Sequence, residues 1–137
     1  MKFVKDFMRK NFTLISPYSS LRSAEEKIIQ KGTETLFVTE NDQVVGVIGI
    51  RDLFTLPIPA SFGGSMPKRE EENLIWRWTN TTVDYLMNVH MISVPKDYPL
   101  MVAAEMMING GKHPLAILQG KQLVGIIYWN DIVQAFL

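Results

Sequence analysis

The chain of 137 residues has no cysteine and only two histidines, and both shortages restrict its chemistry. Without cysteine it can form no disulfides, thiolate zinc sites or cysteine nucleophiles. Neither His90 nor His113 has an acidic cluster beside it in the sequence, so we expect no metal site. The sequence also shows no nucleophile–base pair and no P-loop pattern. We therefore expect a protein without enzymatic activity.

The sequence also lacks an excess of either charge and any long apolar run. Lys and Arg number 14, and so do Asp and Glu. This balance disfavours binding to nucleic acid or to an anionic membrane. No stretch approaches the roughly 18 apolar residues that span a bilayer, and MKFVKDFMRKNF at the start does not have the features of a signal peptide. We expect a soluble cytoplasmic protein that binds neither nucleic acid nor membrane.

What the sequence does contain is an internal duplication. A shift of 79 residues places residues 4–54 on residues 83–133 without a gap. Identical pairs are spread along this length, among them Val4 with Val83, Met8 with Met87, Gly46 with Gly125, and Asp52 with Asp131. A shared helix or strand pattern would not keep one register across helices, turns and strands. The register therefore indicates that a whole folding unit is repeated.

Each copy predicts the order β-α-β-β-α. A short β-branched segment comes first, at 12–16 and at 91–94. An amphipathic helix follows, for which we predict Ser20 as N-cap in the first copy and Pro99 at the first helical position in the second. Two apolar runs around a polar turn then predict a hairpin. Each copy closes with an Asp where a second helix begins.

The two copies and their connection give three predicted parts. We place repeat 1 at 1–58, a connection at 59–80 and repeat 2 at 81–137. Residues 56–67 are rich in Pro, Gly and Ser and predict a loop, whereas 68–78 has early acids and late apolar residues, typical of a helix. One small unit would bury little core alone. We therefore expect an α/β (α+β) fold in which the two repeats pack face to face.

Three motifs occur in order in both copies. These are VKDFM and VDYLM before the first strand, hairpins that end in VVG and LVG, and the closing segments GVIGIRD and GIIYWND. With these motifs the chain resembles a tandem pair of CBS domains, called a Bateman module. The resemblance implies clefts that bind a regulatory adenosyl ligand such as AMP, ADP, ATP or S-adenosylmethionine, with no required cofactor. It also implies a homodimer that signals to an attached or partner protein.

The resemblance also implies a ligand site in each copy. In the family pattern a Gly is followed by a Thr or Ser that meets a phosphate, and then by an Asp that meets the ribose. Gly49 and Tyr128 stand at the hydroxyl position here, and Asp52 and Asp131 keep the acid. Either Asp could instead be only a helix cap, and Arg51 could meet a phosphate or be a surface charge. The matching adenine pocket consists of Thr13, Leu14, Ile15, Thr35 and Leu36 in copy one, and of Ile92, Ser93, Val94, His113, Pro114 and Leu115 in copy two.

The missing hydroxyl leaves two functions open. The first is an allosteric sensor whose ligand alters another protein. The second is a dimerisation module whose clefts hold no ligand. The sequence shows no output domain, so we expect either that the chain is part of a longer protein or that it acts through a partner.

Overall fold

The computed structural model describes residues 1–53, 68–111 and 114–136. After a 3-10 turn at Val4–Asp6, the first repeat consists of β1 (Leu14–Ile15), α1 (Leu21–Lys31), β2 (Thr35–Glu40), β3 (Gln43–Gly49) and α2 (Ile50–Leu53). The connection contains α3 (Lys68–Asn80). The second repeat consists of α4 (Val83–Leu86), β4 (Ser93–Pro95), α5 (Leu100–Gly110), β5 (Leu115–Gln119), β6 (Gln122–Ile127) and α6 (Trp129–Ala135).

The predicted order β-α-β-β-α is confirmed in both copies, and the fold is mixed α+β. Each copy forms a three-stranded sheet, with the orders β1-β2-β3 and β4-β5-β6. The first strand of each sheet runs parallel to the second, with Leu14 opposite Phe37 and Ser93 opposite Ala116. The helix after the first strand provides the crossover that a parallel pair needs.

Local capping chemistry explains where the long helices start and end. The Ser23 N–H donates to the Ser20 hydroxyl at 3.1 Å, which confirms the predicted N-cap. Gly32 and Gly111 end α1 and α5 with φ of 61° and 62°, a conformation that Gly adopts without a Cβ penalty. The placement of Pro99 at the first helical position was wrong. Pro99 has an extended ψ of 134° and is itself the N-cap, because helical hydrogen bonding begins one residue later.

The predicted connecting helix at 68–78 is confirmed and is two residues longer, since it runs from Lys68 to Asn80. The loop predicted at 56–67 lies outside the described residues.

Two compact units divide the chain differently from the sequence repeat. The Asp52 unit comprises Thr13–Glu40 and Val45–Asn88, and the Asp131 unit comprises Met1–Phe12, Asn41–Val44 and Val89–Leu137. The segment before the first strand of each repeat therefore folds with the sheet of the other copy. We call it the preceding segment. The boundaries at 1–58, 59–80 and 81–137 follow the sequence duplication and stay a prediction.

The same backbone hydrogen bonds attach each preceding segment to its unit. In the Asp131 unit, the Leu100 N–H donates to the Lys2 carbonyl at 2.9 Å; in the Asp52 unit, the Leu21 N–H donates to the Thr81 carbonyl at 2.9 Å. Each segment thus satisfies an orphan amide at the start of a helix. Val4 and Val83, which occupy the same place in the two segments, are completely buried.

Each unit has its own apolar core. Ile15, Leu21, Ala24, Ile28, Leu36, Val38, Ile48, Leu53, Trp78 and Val83 form the core of the Asp52 unit. Val4, Val94, Leu100, Ala103, Ala104, Met107, Leu115, Ile117, Ile127, Ile132 and Ala135 form that of the Asp131 unit. Fully burying one such aliphatic side chain contributes about 1.5–3 kcal/mol, so the core of each unit stabilises the sheet that it packs against.

Candidate functional site

The predicted site residues of the first copy meet at one end of the β1-β2-β3 sheet. The Phe37 N–H donates to the Thr13 carbonyl at 2.9 Å, which places the start of β1 beside the start of β2. The Ile50 N–H donates to the Glu34 carbonyl at 3.0 Å, which places the end of β3 there as well. Thr13, Thr35 and Gly49 therefore share this end of the sheet.

Asp52 stands at this sheet end in the first turn of α2. The Gly49 N–H donates to the Asp52 Oδ2 at 2.8 Å, so the carboxylate does cap the helix start, as the capping interpretation predicted. The Asp52 side chain is partly exposed, and Arg51 beside it is exposed. Capping by one oxygen is compatible with a ribose contact, because a carboxylate has several acceptor positions. Contact between Asp52 and a ribose stays a prediction.

Gly49 stands where the family pattern has a hydroxyl residue, and its surroundings are tight. A Cβ at this position would lie 3.3 Å from the Glu34 carbonyl oxygen and 3.8 Å from the Asp52 Oδ2. The first distance is shorter than ordinary van der Waals contact, so a Thr or Ser would require the β2 start to move by a few tenths of an ångström. The local backbone thus agrees with Gly, and the hydroxyl that meets a phosphate is missing.

The residues predicted to form the adenine pocket of the first copy differ in their exposure to solvent. Leu14 is 39% exposed and its carbonyl accepts a hydrogen bond from the Lys27 Nζ at 2.6 Å. Thr13 and Thr35 are partly buried. Leu36 is completely buried in the core. Its side chain has no surface to offer in this structure, so only its backbone lies within reach of a ligand.

The second copy repeats the backbone arrangement. The Ala116 N–H donates to the Ile92 carbonyl at 3.1 Å, and the Tyr128 N–H donates to the Asp131 Oδ2 at 2.9 Å. Ser93 and Pro114 are partly buried, and Leu115 is completely buried, like Leu36. His113 lies outside the described residues.

Arg9, which the sequence analysis did not identify as a site residue, contacts the predicted site of the second copy. The Arg9 Nε donates to the Asp131 Oδ1 at 2.9 Å and to its Oδ2 at 3.0 Å. The Asp131 side chain is 8% exposed, and the Arg9 side chain is 42% exposed. The guanidinium carbon lies 5.1 Å from the centre of the Tyr128 ring, within cation–π range. One arginine therefore contacts both Asp131 and Tyr128, two of the residues predicted for the second site.

The paired sequence motifs meet in space as a methionine packed on a glycine. A Cβ at Gly125 would lie 2.4 Å from the Met8 Sδ, and a Cβ at Gly46 would lie 2.9 Å from the Met87 Sδ. A methyl group at either glycine would thus lie closer to the methionine than ordinary van der Waals contact allows. The methionine of the motif before each first strand thus contacts the hairpin glycine of the other copy.

No cluster of three or more His, Cys, Asp or Glu that could hold a metal occurs within 1–53, 68–111 and 114–136. Among those residues, no helix is both long and apolar enough to cross a membrane.

The same α+β repeat occurs twice in the chain, and comparison with known proteins identifies its family. The CBS-domain family model matches residues 4–58 and 83–137. The chain belongs to the CBS-domain family and contains two CBS domains in tandem. No curated protein matches it by sequence.

Solved structures of CBS proteins resemble the chain over nearly its whole length. The crystal structure of CBSX2 in complex with AMP, a protein of Arabidopsis thaliana, is 26% identical with a TM-score of 0.77 and covers 99% of this chain and 96% of that chain. The CBS domain of a CBS-domain-containing membrane protein from Sphaerobacter thermophilus is 20% identical with a TM-score of 0.84, over 98% and 88%. Protein MJ1225 from Methanocaldococcus jannaschii is 19% identical with a TM-score of 0.80, over 99% and 48%.

Proposed function

We propose that the chain is a regulatory module that binds an adenosyl ligand at the Asp52 end of the β1-β2-β3 sheet. The observation that carries the proposal is the partly exposed Asp52 carboxylate beside Gly49, Thr13 and Thr35. CBSX2, which is similar in sequence and fold, is known in complex with AMP. The module supplies no chemistry of its own in this proposal. Its output is the difference in ligand affinity between two shapes of the protein or its partner.

The Asp52 carboxylate suits a ribose because an ionised carboxylate accepts hydrogen bonds and donates none. The two hydroxyls of a ribose can both donate to it, while the Gly49 N–H keeps Oδ2 in position at 2.8 Å. Leu14 offers an exposed apolar surface near the same sheet end, which suits the face of a purine. Acid and apolar wall together favour an adenosyl group over a bare anion.

The missing hydroxyl at Gly49 weakens the case for a tightly held phosphate. Arg51 is an exposed cation one residue from Asp52 and is the candidate to meet a phosphate from solution. We therefore propose the adenosyl group as the common feature and leave AMP, ADP, ATP and S-adenosylmethionine as the ligands to be compared.

The test is isothermal titration of AMP, ADP, ATP and S-adenosylmethionine into the wild type, Asp52→Asn and Asp84→Asn. Asp84 is an exposed carboxylate of the same unit and serves as the matched control. A hydrogen bond to a charged group contributes about 1.5–3 kcal/mol, so Asp52→Asn should weaken binding roughly 10- to 140-fold. Asp84→Asn should bind like the wild type. If none of the four ligands binds the folded wild type, the proposal fails.

The second candidate is a dimerisation module without a ligand. The tight contact at Gly49 and the Arg9–Asp131 ion pair both favour it, because each removes a ligand-binding group of the family pattern. Helix α5 also exposes Met101, Val102 and Ile108 at 58%, 40% and 65%. Apolar surface of this kind suits a helix-to-helix homodimer, which we propose alongside either function. A monomer mass in sedimentation across micromolar concentrations would contradict the dimer.

A further inference from the structure

Asp131 is held in an ion pair in which both of its carboxylate oxygens take part. Its two oxygens accept from the Arg9 Nε at 2.9 and 3.0 Å, and its Oδ2 also accepts from the Tyr128 N–H at 2.9 Å. With 8% of its side chain exposed, Asp131 presents almost no surface to solvent. A ribose hydroxyl could reach this carboxylate only after the arginine had moved.

The arginine also lies against the Tyr128 ring. Its guanidinium lies 5.1 Å from the centre of the Tyr128 ring. Tyr128 stands where the first copy has Gly49. The residues that would contact a ribose and a phosphate in the Asp131 unit are thus both engaged by one side chain of the protein itself.

Arg9 is held in place by its backbone. Its N–H donates to the Ile126 carbonyl at 2.8 Å, and its carbonyl accepts from the Ile126 N–H at 3.0 Å. The preceding Met8 packs on Gly125. Because its backbone is paired with Ile126, the Arg9 side chain starts from a fixed position from which it reaches Asp131.

The duplicated position in the Asp52 unit has the same backbone and a different side chain. The Asn88 N–H donates to the Val47 carbonyl at 2.7 Å, and the Asn88 carbonyl accepts from the Val47 N–H at 2.9 Å. Asn88 is shorter than arginine and carries no charge. The two units thus have a charged and a neutral residue at the same backbone position.

We propose that Arg9 closes the Asp131 site, so that the module takes one adenosyl ligand per chain and takes it at Asp52. The inference rests on the proposed function and adds to it the number of sites and the residue that decides it. Arg9 acts as an internal substitute for a ligand: its Nε–H donates to the carboxylate that a ribose hydroxyl would otherwise contact.

The experiment exchanges the two residues. Arg9→Asn gives the Asp131 unit the residue that its counterpart has, and Asn88→Arg gives the Asp52 unit a cation. Calorimetry with AMP, run in parallel with ATP and S-adenosylmethionine, measures the number of ligands bound per chain. Lys5→Gln is the control, because it removes a cation of the same segment whose partner, Asp97, is exposed. Far-ultraviolet circular dichroism checks that every variant is folded.

The expected stoichiometries are one ligand for the wild type and for Lys5→Gln, and two for Arg9→Asn. The second ligand of Arg9→Asn should disappear when Asp131→Asn is added. Asn88→Arg should weaken binding at least tenfold, and this variant keeps the test decisive if Arg9→Asn does not fold.

The other outcomes separate the inference from the proposed function. Two ligands on the wild type, or one on Arg9→Asn with unchanged binding by Asn88→Arg, would overturn the inference and leave the proposed function standing. No ligand on the wild type with one on Arg9→Asn would support the closure by Arg9 and overturn binding at Asp52. No ligand on any variant would overturn both.

Discussion

The two units have the same acid at the same point of the repeat, and they surround it differently. In the Asp131 unit, the carboxylate is buried and accepts from Arg9 and from the Tyr128 N–H. In the Asp52 unit, the carboxylate is partly exposed and accepts from the Gly49 N–H. The amide bond to the acid is common to both, so the helix cap is the shared role. The two acids differ in their burial, and Asp131 is ion-paired with Arg9.

The comparison shows that duplication preserved the backbone frame and left the side chains on that frame to differ. Arg9 and Asn88 form equivalent pairs of hydrogen bonds with Ile126 and Val47. This backbone pairing fixes the position of the residue that follows Met8 or Met87, whatever its side chain. The proposal about Arg9 therefore predicts that one substitution at this position changes the site without changing the backbone pairing.

The largest effect on stability that we predict compares the two packed glycines. A Cβ at Gly125 would lie 2.4, 2.7 and 3.0 Å from the Sδ, Cγ and Cβ of Met8, whereas the closest contact at Gly46 is 2.9 Å, to the Met87 Sδ. Gly125→Ala should destabilise by about 1–3 kcal/mol through overpacking. In Gly46→Ala, a smaller clash is offset by the gain of about 0.5–1 kcal/mol from replacing Gly in a strand.

Urea denaturation of both variants measures the difference. The control is Gly125→Ala combined with Met8→Ala, in which the added methyl group no longer meets the methionine and part of the loss should be recovered. Equal destabilisation by the two alanines would mean that the Met8 side chain can move aside as easily as that of Met87.

A smaller effect should follow from removing the ion pair that distinguishes the units. Arg9→Gln leaves a buried carboxylate without its cation, and a buried acceptor that loses a partner costs about 1–3 kcal/mol. Because Arg9 is 42% exposed and water can partly replace it, we expect the lower half of this range. Asn88→Gln, at the matching position, should change the urea midpoint much less.

The salt dependence of this variant sharpens the interpretation. Asp131 is buried, so the destabilisation by Arg9→Gln should persist in 1 M NaCl, where exposed pairs are screened. A difference between Arg9→Gln and the wild type that vanishes in salt would show that the pair is only a surface interaction in solution.

The sequence predicted what local chemistry determines. The strands, the helices Leu21–Lys31 and Leu100–Gly110, and the cap by Ser20 each depend on residues within a few positions. The exchange of the preceding segments was not predicted, because the contact between Met8 and Gly125 joins distant parts of the chain. Both the methionine and the glycine of this contact are duplicated in the sequence. Their spacing alone, however, does not say whether a methionine contacts the glycine of its own copy or that of the other.

The site was predicted less completely than the fold. The prediction named the acids and the sheet ends, yet it missed Arg9, which lies 122 residues from Asp131 in sequence. The available signal was the alignment of Arg9 with Asn88 beside an identical methionine, a charge difference in an otherwise equivalent place. Leu36 and Leu115 were predicted to line a pocket. Each lies in a run of three consecutive buried residues, at 36–38 and 115–117, and both side chains belong to the cores, so their contact with a ligand stays a prediction.

The smallest effect concerns the exposed pair of the same segment, Lys5 and Asp97, whose charged atoms lie 3.0 Å apart. The hydrogen bond and charge of Lys5 hold the pKa of Asp97 below its ordinary value of 3.8, and Asp97 raises the pKa of Lys5 above 10.5. The pair's contribution to stability is therefore present from about pH 4 to about pH 10. It is lost as acid protonates Asp97 through its lowered pKa, or as base deprotonates Lys5 through its raised one. The difference in urea midpoint between Asp97→Asn and the wild type should be small at pH 7, vanish in 1 M NaCl and shrink towards zero below pH 3.8. A difference that grew on acidification would mean that Asp97 is better accommodated when protonated, and Lys5 would then not be its stabilising partner.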